Sequence, residues 1–280
     1  MVIKIVTDST ADIPPELVAE LGITTIPLYV QFGSESLRDR VDITEDNFYT
    51  RLQNGPVHPT TAQPSPQDFA DAFDRIAKGA DGIVAVHLSG KLSGTISSAL
   101  QGAKMMKKPV PVEIVDSTYT SMATGLVALA AAQAARAGHD LQSVAAAARD
   151  SVGKIDLLVL FDTLKYIARG GRIGRAKALM GSVLNVKPLL DIQGGEFVPV
   201  GQVRSRGKGV ERLVERVKNA GSRIAELAVI HSTTPDEAQA LAKRLTEFVS
   251  ADKIHIARFG PVLGVHGGPG VLAVAFRTES

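Results

Sequence analysis

Gly82-Ile83-Val84-Ala85-Val86-His87-Leu88-Ser89-Gly90-Lys91-Leu92-Ser93-Gly94-Thr95 is the stretch whose reading decides the fold. Gly82 to His87 reads as a strand, and a helix follows from about Gly94 to Met106. Between them lies a turn built of glycines and hydroxyls. A strand leading through a short turn into a helix is the repeating unit of parallel sheets, whose neighbouring strands need crossover connections.

The same grammar continues in both directions. Upstream, Val2 to Val6 reads as the first strand; Asp12 and Pro14 open a short helix through Leu21, stopped by Gly22. Ile23 to Val30 reads as one strand, and Gly33 to Asp42 as a loop or small hairpin with Asp39 and Asp42 solvated. Thr44 can cap a helix through Leu52, and Ser65-Pro66 a helix through Lys78. Downstream, Val112 to Val115 is a strand that ends in Asp116-Ser117. Helices are expected over Ser121 to Ala137 and Leu141 to Val152. The alanine-rich run Met122 to Ala135 is too short to cross a bilayer and reads as a buried helix.

From Ile155 the pattern changes. Leu157 to Phe161 is strand-like, and a glycine-rich basic segment follows at Lys165 to Gly174. Strands near Pro188 to Ile192 and Phe197 to Val203 are joined by the hairpin signal Gln193-Gly194-Gly195. Helices at Gly209 to Asn219 and Pro235 to Val249 flank strands at Leu227 to His231 and Ile254 to Phe259, and Val271 to Phe276 closes the pattern. The expected fold is α/β in two units. Residues 1–153 form an N-terminal parallel-sheet three-layer domain, and residues 154–280 a C-terminal mixed-sheet α/β domain.

Composition narrows the function. The chain has 280 residues, 45% of them hydrophobic and 21% charged, as a globular protein does. A net charge of +2 argues against a dedicated nucleic-acid binder. With no cysteine there are no disulfides or thiolate metal sites, which fits a reducing compartment. The strand-like start Met1-Val2-Ile3-Lys4 lacks a signal-peptide layout, so a cytoplasmic location is expected. No Gly-x-x-x-x-Gly-Lys-Ser/Thr loop and no His-Glu-x-x-His motif occurs, so neither an ATP loop of that type nor a zinc site is expected.

The Leu88 to Thr95 turn follows a strand and precedes a helix, where an open parallel sheet binds its ligands. Free N–H groups and the helix dipole favour an anion there, and Ser93 and Thr95 add hydroxyl donors. Taken alone, the same residues serve equally as an ordinary turn and cap. Further hydroxyl loops at Thr7 to Thr10, Thr60 to Ser65 and Asp116 to Thr118 strengthen the site reading, since post-strand loops share one edge of a parallel sheet. His266-Gly267-Gly268-Pro269-Gly270 is either a tight turn or a loop that brings backbone to a ligand with His266 as donor. The basic runs around Arg172 and at Arg204 to Lys208 could bind phosphate or simply be solvated faces.

Taken together, these segments resemble the DegV family nearly end to end. The carrying motifs are Thr7-Asp8-Ser9-Thr10-Ala11-Asp12, Thr61-Ala62-Gln63-Pro64-Ser65, Leu92-Ser93-Gly94-Thr95, Val115-Asp116-Ser117, Gly170-Gly171-Arg172-Ile173-Gly174, Val186-Lys187-Pro188 and His266-Gly267-Gly268-Pro269-Gly270. One departure is Ala62, where the family often has serine. The resemblance implies a single long-chain fatty acid buried between two domains, no cofactor and no catalytic residue. It also implies a partner, an ATP-dependent fatty acid kinase subunit that phosphorylates the presented carboxylate to an acyl phosphate. By position, Thr61, Ser93 and His266 match the family's carboxylate-binding residues, and Arg172 and Arg204 match basic positions that engage the kinase. Transient contact with a membrane surface is compatible with such a role. Leu92, Ile96 and the Met122 to Ala135 helix could wall a tunnel, although ordinary core packing is the stronger reading for most of them.

Two other classes stay open on residues alone. One is an acyl-transfer or hydrolytic enzyme with Ser93 as nucleophile and His266 as base. It is weakened because Gly90-Lys91-Leu92-Ser93-Gly94 is not a Gly-x-Ser-x-Gly elbow. The other is a phosphosugar or nucleotide binder that uses the glycine loops.

Overall fold

The computed structural model describes residues 1–179 and 186–279. The first half of the chain contributes β1 (Ile3–Asp8), α1 (Pro15–Leu21), β2 (Thr24–Ile26), β3 (Tyr29–Phe32), β4 (Glu35–Arg38), α2 (Glu45–Asn54) and β5 (Thr60–Ala62). It continues with α3 (Pro66–Ile76), β6 (Gly82–His87), α4 (Thr95–Lys104), β7 (Val112–Asp116), α5 (Met122–Arg136) and α6 (Leu141–Val152). The second half contributes β8 (Ile155–Leu160), α7 (Lys165–Arg169), β9 (Lys187–Gln193), β10 (Glu196–Val203) and α8 (Arg206–Ala220). It closes with β11 (Ile224–His231), α9 (Pro235–Leu245), β12 (Ile254–Arg258), α10 (Pro261–Gly267) and β13 (Leu272–Thr278).

Among the described residues the strands form three sheets. The first has the order β2-β1-β6-β7 with every neighbouring pair parallel. The second, β10-β9-β8-β13-β11-β12, is mixed, and β11 and β12 form its parallel pair. The third is a small antiparallel sheet, β4-β3-β5. The α/β fold with a parallel and a mixed sheet is therefore as the sequence predicts.

Alternation along the strands explains the layering. Val6, Ile83 and Ala85 pack with Phe69, Phe73 and Ala99 of α3 and α4. Ile3, Ile5, Val84 and Val86 point the other way, toward α5 and α6. In the mixed sheet Leu158, Leu160, Val229 and Val274 face α8 and α9, whereas Leu157, Val159, Ile230 and Ala273 face α5. Helix α5 thus lies between two sheets, and one continuous core runs through it. A helix so placed must be apolar all round and slender. Met122, Ala123, Leu126, Val127, Ala128 and Leu129 are fully buried, and alanine supplies most of the rest.

Three expectations need correction. Ile23 to Val30 is two strands, because Pro27 breaks the run: β2 joins the parallel sheet and β3 the small antiparallel one. Asp39 is not solvated but 1% exposed, its N–H donating to Leu28 O at 2.9 Å. The segment before Gly268 is a helix, α10, rather than only a turn. Gly33 to Asp42 is a hairpin as one reading had it, and Asp42 receives Arg38 in a bidentate pair at 2.9 Å.

Gly125 sits where α5 crosses the chain after β1. A Cβ there would fall 2.7 Å from Ala11 O and 2.8 Å from Met122 Sδ. Gly125→Val should destabilise the protein by about 1–3 kcal/mol through overpacking, read as a lowered urea midpoint. An unchanged midpoint would show that the crossing is looser than described.

Candidate functional site

The turn after β6 is pinned from several sides. The buried Asp8 carboxylate, at the end of β1, accepts Thr10 N at 3.0 Å and Leu88 N at 3.1 Å, and lies 2.9 Å from His87 Nδ1. Ser89 N donates to Tyr119 O at 2.8 Å, and Ser89 Oγ to Gly195 O at 2.8 Å on the β9–β10 hairpin tip. Leu92 and Ser93 N–H groups return to Ser89 O at 3.0 and 3.1 Å. Ser93 is left at the entrance to α4, whose N-cap Gly94 offers no side-chain cap. Its Oγ lies 2.9 Å from Thr95 Oγ1 and accepts Thr95 N at 3.3 Å.

Opposite stands α10, held at its start by Asp12. The Asp12 carboxylate accepts Gly260 N at 3.0 Å, Arg40 Nη2 at 2.8 Å and Ser121 Oγ at 2.6 Å. Tyr49 OH donates to Phe259 O at 3.2 Å. Val262 and Val265 insert among Leu28, Val30, Phe48 and Tyr49 beneath the small sheet. That sheet carries Thr61 on β5, paired to Val30, and so Thr61 Oγ1 meets His266 Nε2 at 3.0 Å.

Turn, small sheet and α10 enclose a cavity of about 270 Å³. Thr61, Ser93 and His266 are gathered at it with Arg172, whose Nε donates to Leu92 O at 3.2 Å and Nη1 to Gly170 O at 2.7 Å. Ala62 and Gln63 also line it. The rest of the wall is apolar: Leu28, Leu88, Leu92, Ile167, Val262 and Leu263, with Phe161, Phe197 and Phe259. A second, polar recess of about 360 Å³ adjoins it, sharing Leu92, Ser93 and Arg172 and adding Lys91, Gly171 and Glu196.

Burial, and then the positive field of Arg172, lowers the His266 pKa to about 4. The ring is neutral at pH 7, and its Nδ1 is buried without a partner against Gly170, where a Cβ would collide with it. An orphaned N–H costs more than an orphaned lone pair, so we assign the proton to Nε2. His266 then donates to Thr61, which frees the Thr61 hydroxyl proton for an acceptor in the cavity.

Not every expected residue is here. Arg204 is exposed beyond the end of β10 and does not line the cavity. Leu92 lines it, but Ile96 and the Met122 to Ala135 helix do not. Ser9 and Thr10 are buried in internal hydrogen bonds instead of facing a ligand. The three phenylalanines were not legible, since each comes from a different strand end. Ser93 and His266 are not hydrogen-bonded to each other, each being paired to a threonine. Among the described residues no group of histidine, aspartate and glutamate could hold a metal ion, and no helix is long and apolar enough to cross a membrane.

The low His266 pKa has a stability consequence. The unfolded histidine takes up a proton near pH 6.5 and the folded one only near pH 4. Stability present above pH 6.5 is therefore lost as the pH falls to 4, by up to about 3 kcal/mol from this group. His266→Gln should lose correspondingly less over the same interval in urea titrations. Equal losses in both proteins would show that His266 is not held neutral.

The family model described as "Uncharacterised protein, DegV family" matches residues 2–279. A DegV domain-containing protein of Streptomyces coelicolor is 43% identical over 277 residues, covering 97% of each chain. Among solved structures, a DegV-family protein of Thermus thermophilus described for its fatty acid binding aligns with a TM-score of 0.91 at 31% identity. DegV of Bacillus subtilis, described as a fatty acid binding protein, aligns with a TM-score of 0.90 at 30% identity. Both alignments cover 100% of each chain. A match to the family model from residue 2 to residue 279 shows that the chain belongs to the DegV family.

Proposed function

We propose that this protein binds one long-chain fatty acid in the cavity and presents its carboxylate to a separate ATP-dependent kinase subunit, which converts it to an acyl phosphate. The observation that carries the reading is an apolar cavity with a hydroxyl–imidazole cluster on one wall. The ligand would lie between two domains, residues 1–153 and 154–280, in a cytoplasmic protein. The fatty-acid-binding relatives from Thermus thermophilus and Bacillus subtilis support the ligand class.

The energetics favour this division of labour. Burying about 14 methylenes at about 0.8 kcal/mol each supplies roughly 11 kcal/mol of gross driving force. Burying a carboxylate without partners costs several kcal/mol. The tail therefore dominates affinity, while Thr61, Ser93 and neutral His266 offset desolvation and fix which end faces out. The adjoining polar recess with Lys91 and Arg172 suits the approach of a phosphoryl donor. Arg172 and Arg204 are assigned to engagement of the kinase. The absence of a Ser93–His266 hydrogen bond favours binding over acyl transfer.

Organic extraction of the purified protein, followed by mass spectrometry, should release a fatty acid. No released acid, together with no uptake of added acid, overturns the reading. Ser93→Ala should weaken retention by about tenfold or more, the size of one hydrogen bond to a charged group. Ala62→Ser, which adds a hydroxyl to the cavity wall, should tighten it. Arg172→Ala should spare fatty acid binding and reduce acyl-phosphate formation with the kinase; unchanged turnover removes that assignment.

A further inference from the structure

One polar group in the apolar part of the cavity has no partner. Thr120 is 5% exposed, and its Oγ1 is buried without a hydrogen bond. It lines the main cavity and also a small void of about 10 Å³ immediately behind it. Phe161, Phe197 and Phe259 line both spaces, so with Thr120 they form the partition between them. Beyond the partition the walls are Leu157, Val159, Ile230 and Ala273, joined by Ser121, whose own hydroxyl is committed to Asp12 at 2.6 Å.

Backbone geometry holds Thr120 in this place. Ser121 adopts φ 55 and ψ −153, a region costly for any residue with a Cβ. The Asp12–Ser121 hydrogen bond and the donation from Ser89 N to Tyr119 O fix the peptides on either side. A conformational cost is thus borne next to a hydroxyl that satisfies nothing in the protein. Buried polar groups are ordinarily paired, and this unpaired hydroxyl lines a cavity with room for a partner from outside the chain.

We propose that Thr120 is a specificity-determining residue whose hydroxyl pairs with an oxygen carried along the acyl chain, so that the cavity prefers a hydroxylated fatty acid to its unsubstituted parent. The inference rests on the fatty-acid reading of the same cavity and names the class of acid. A site hydroxyl that finds its partner only on the hydroxylated ligand discriminates against the ligand lacking it, because the hydroxyl is otherwise left unpaired.

The test is competition between stearic acid and a positional series of monohydroxystearic acids, with wild-type protein, Thr120→Val and Thr120→Ser. At least one isomer should bind the wild type about tenfold more tightly than stearic acid. Thr120→Val, which keeps the shape and removes the hydroxyl, should abolish that preference while still binding stearic acid; Thr120→Ser should restore it. No preferred isomer, or a preference that survives in Thr120→Val, overturns the proposal. Wild type that binds stearic acid without such a preference overturns this inference alone. Wild type that binds none of the acids overturns the fatty-acid reading with it.

Discussion

The contact on which the arrangement depends is the ion pair of buried Asp12 with partly buried Arg40. Arg40 donates to Asp12 and Glu45 side chains and to the carbonyls of Ser9 and Arg258. Asp12 in turn takes Gly260 N and Ser121 Oγ. One ion pair thereby joins the end of β1, the start of α2, the start of α5 and the approach to α10. Burial raises the Asp12 pKa to about 6, with Arg40, Ser121 and Gly260 opposing it. Burial likewise raises neighbouring Asp39 to about 7 against the pull of Arg40. Such a junction contributes little net stability, but removal of one partner leaves an uncompensated buried charge. Its value is geometric: it decides where α10 begins, and hence where His266 lies relative to Thr61.

Around that junction, packing does the rest. Helix α5 shares its surface with both large sheets, and its small side chains set how closely they approach. The phenylalanines at the ends of β8 and β12 and on β10 then close one side of the cavity. The polar cluster and the apolar wall are thus made by different means. One is assembled by hydrogen bonds among turns, the other by side chains at the edge of the core.

What was legible in the sequence was what is local. Strand β6, its turn and α4 were readable because the apolar run Ile83 to Val86, a hydroxyl turn and a helix follow one another directly. Ser65-Pro66 announced α3 through a capping box that the structure completes with Asp68. Strand β5 was not readable, because its three residues become a strand only by pairing with β3. Helix α10 was hidden by Gly264 and Gly267, which weaken helix propensity; Val262 and Val265 earn their helical place by burial. Asp39 reads as a surface residue in any local window, and only Arg40 and the fold over Leu28 explain its position. Ser93, Thr61, His266 and Arg172 were named from motifs, yet their meeting at one cavity depends on strand order. Arg204, matched by position alone, stands apart from it.

The Thr61–His266 contact spans 205 residues of chain. During synthesis the parallel sheet and every strand of the mixed sheet but β13 therefore emerge before the polar cluster can exist. The turn after β6 gains the Gly195 carbonyl first and α10 only later. A fragment ending before β12 would present apolar cavity walls to the cell with no imidazole opposite Thr61. The emerging protein thus gains its pocket in one late step, when α10 docks beneath the small sheet. A complete pocket is by construction a property of a chain that extends through α10.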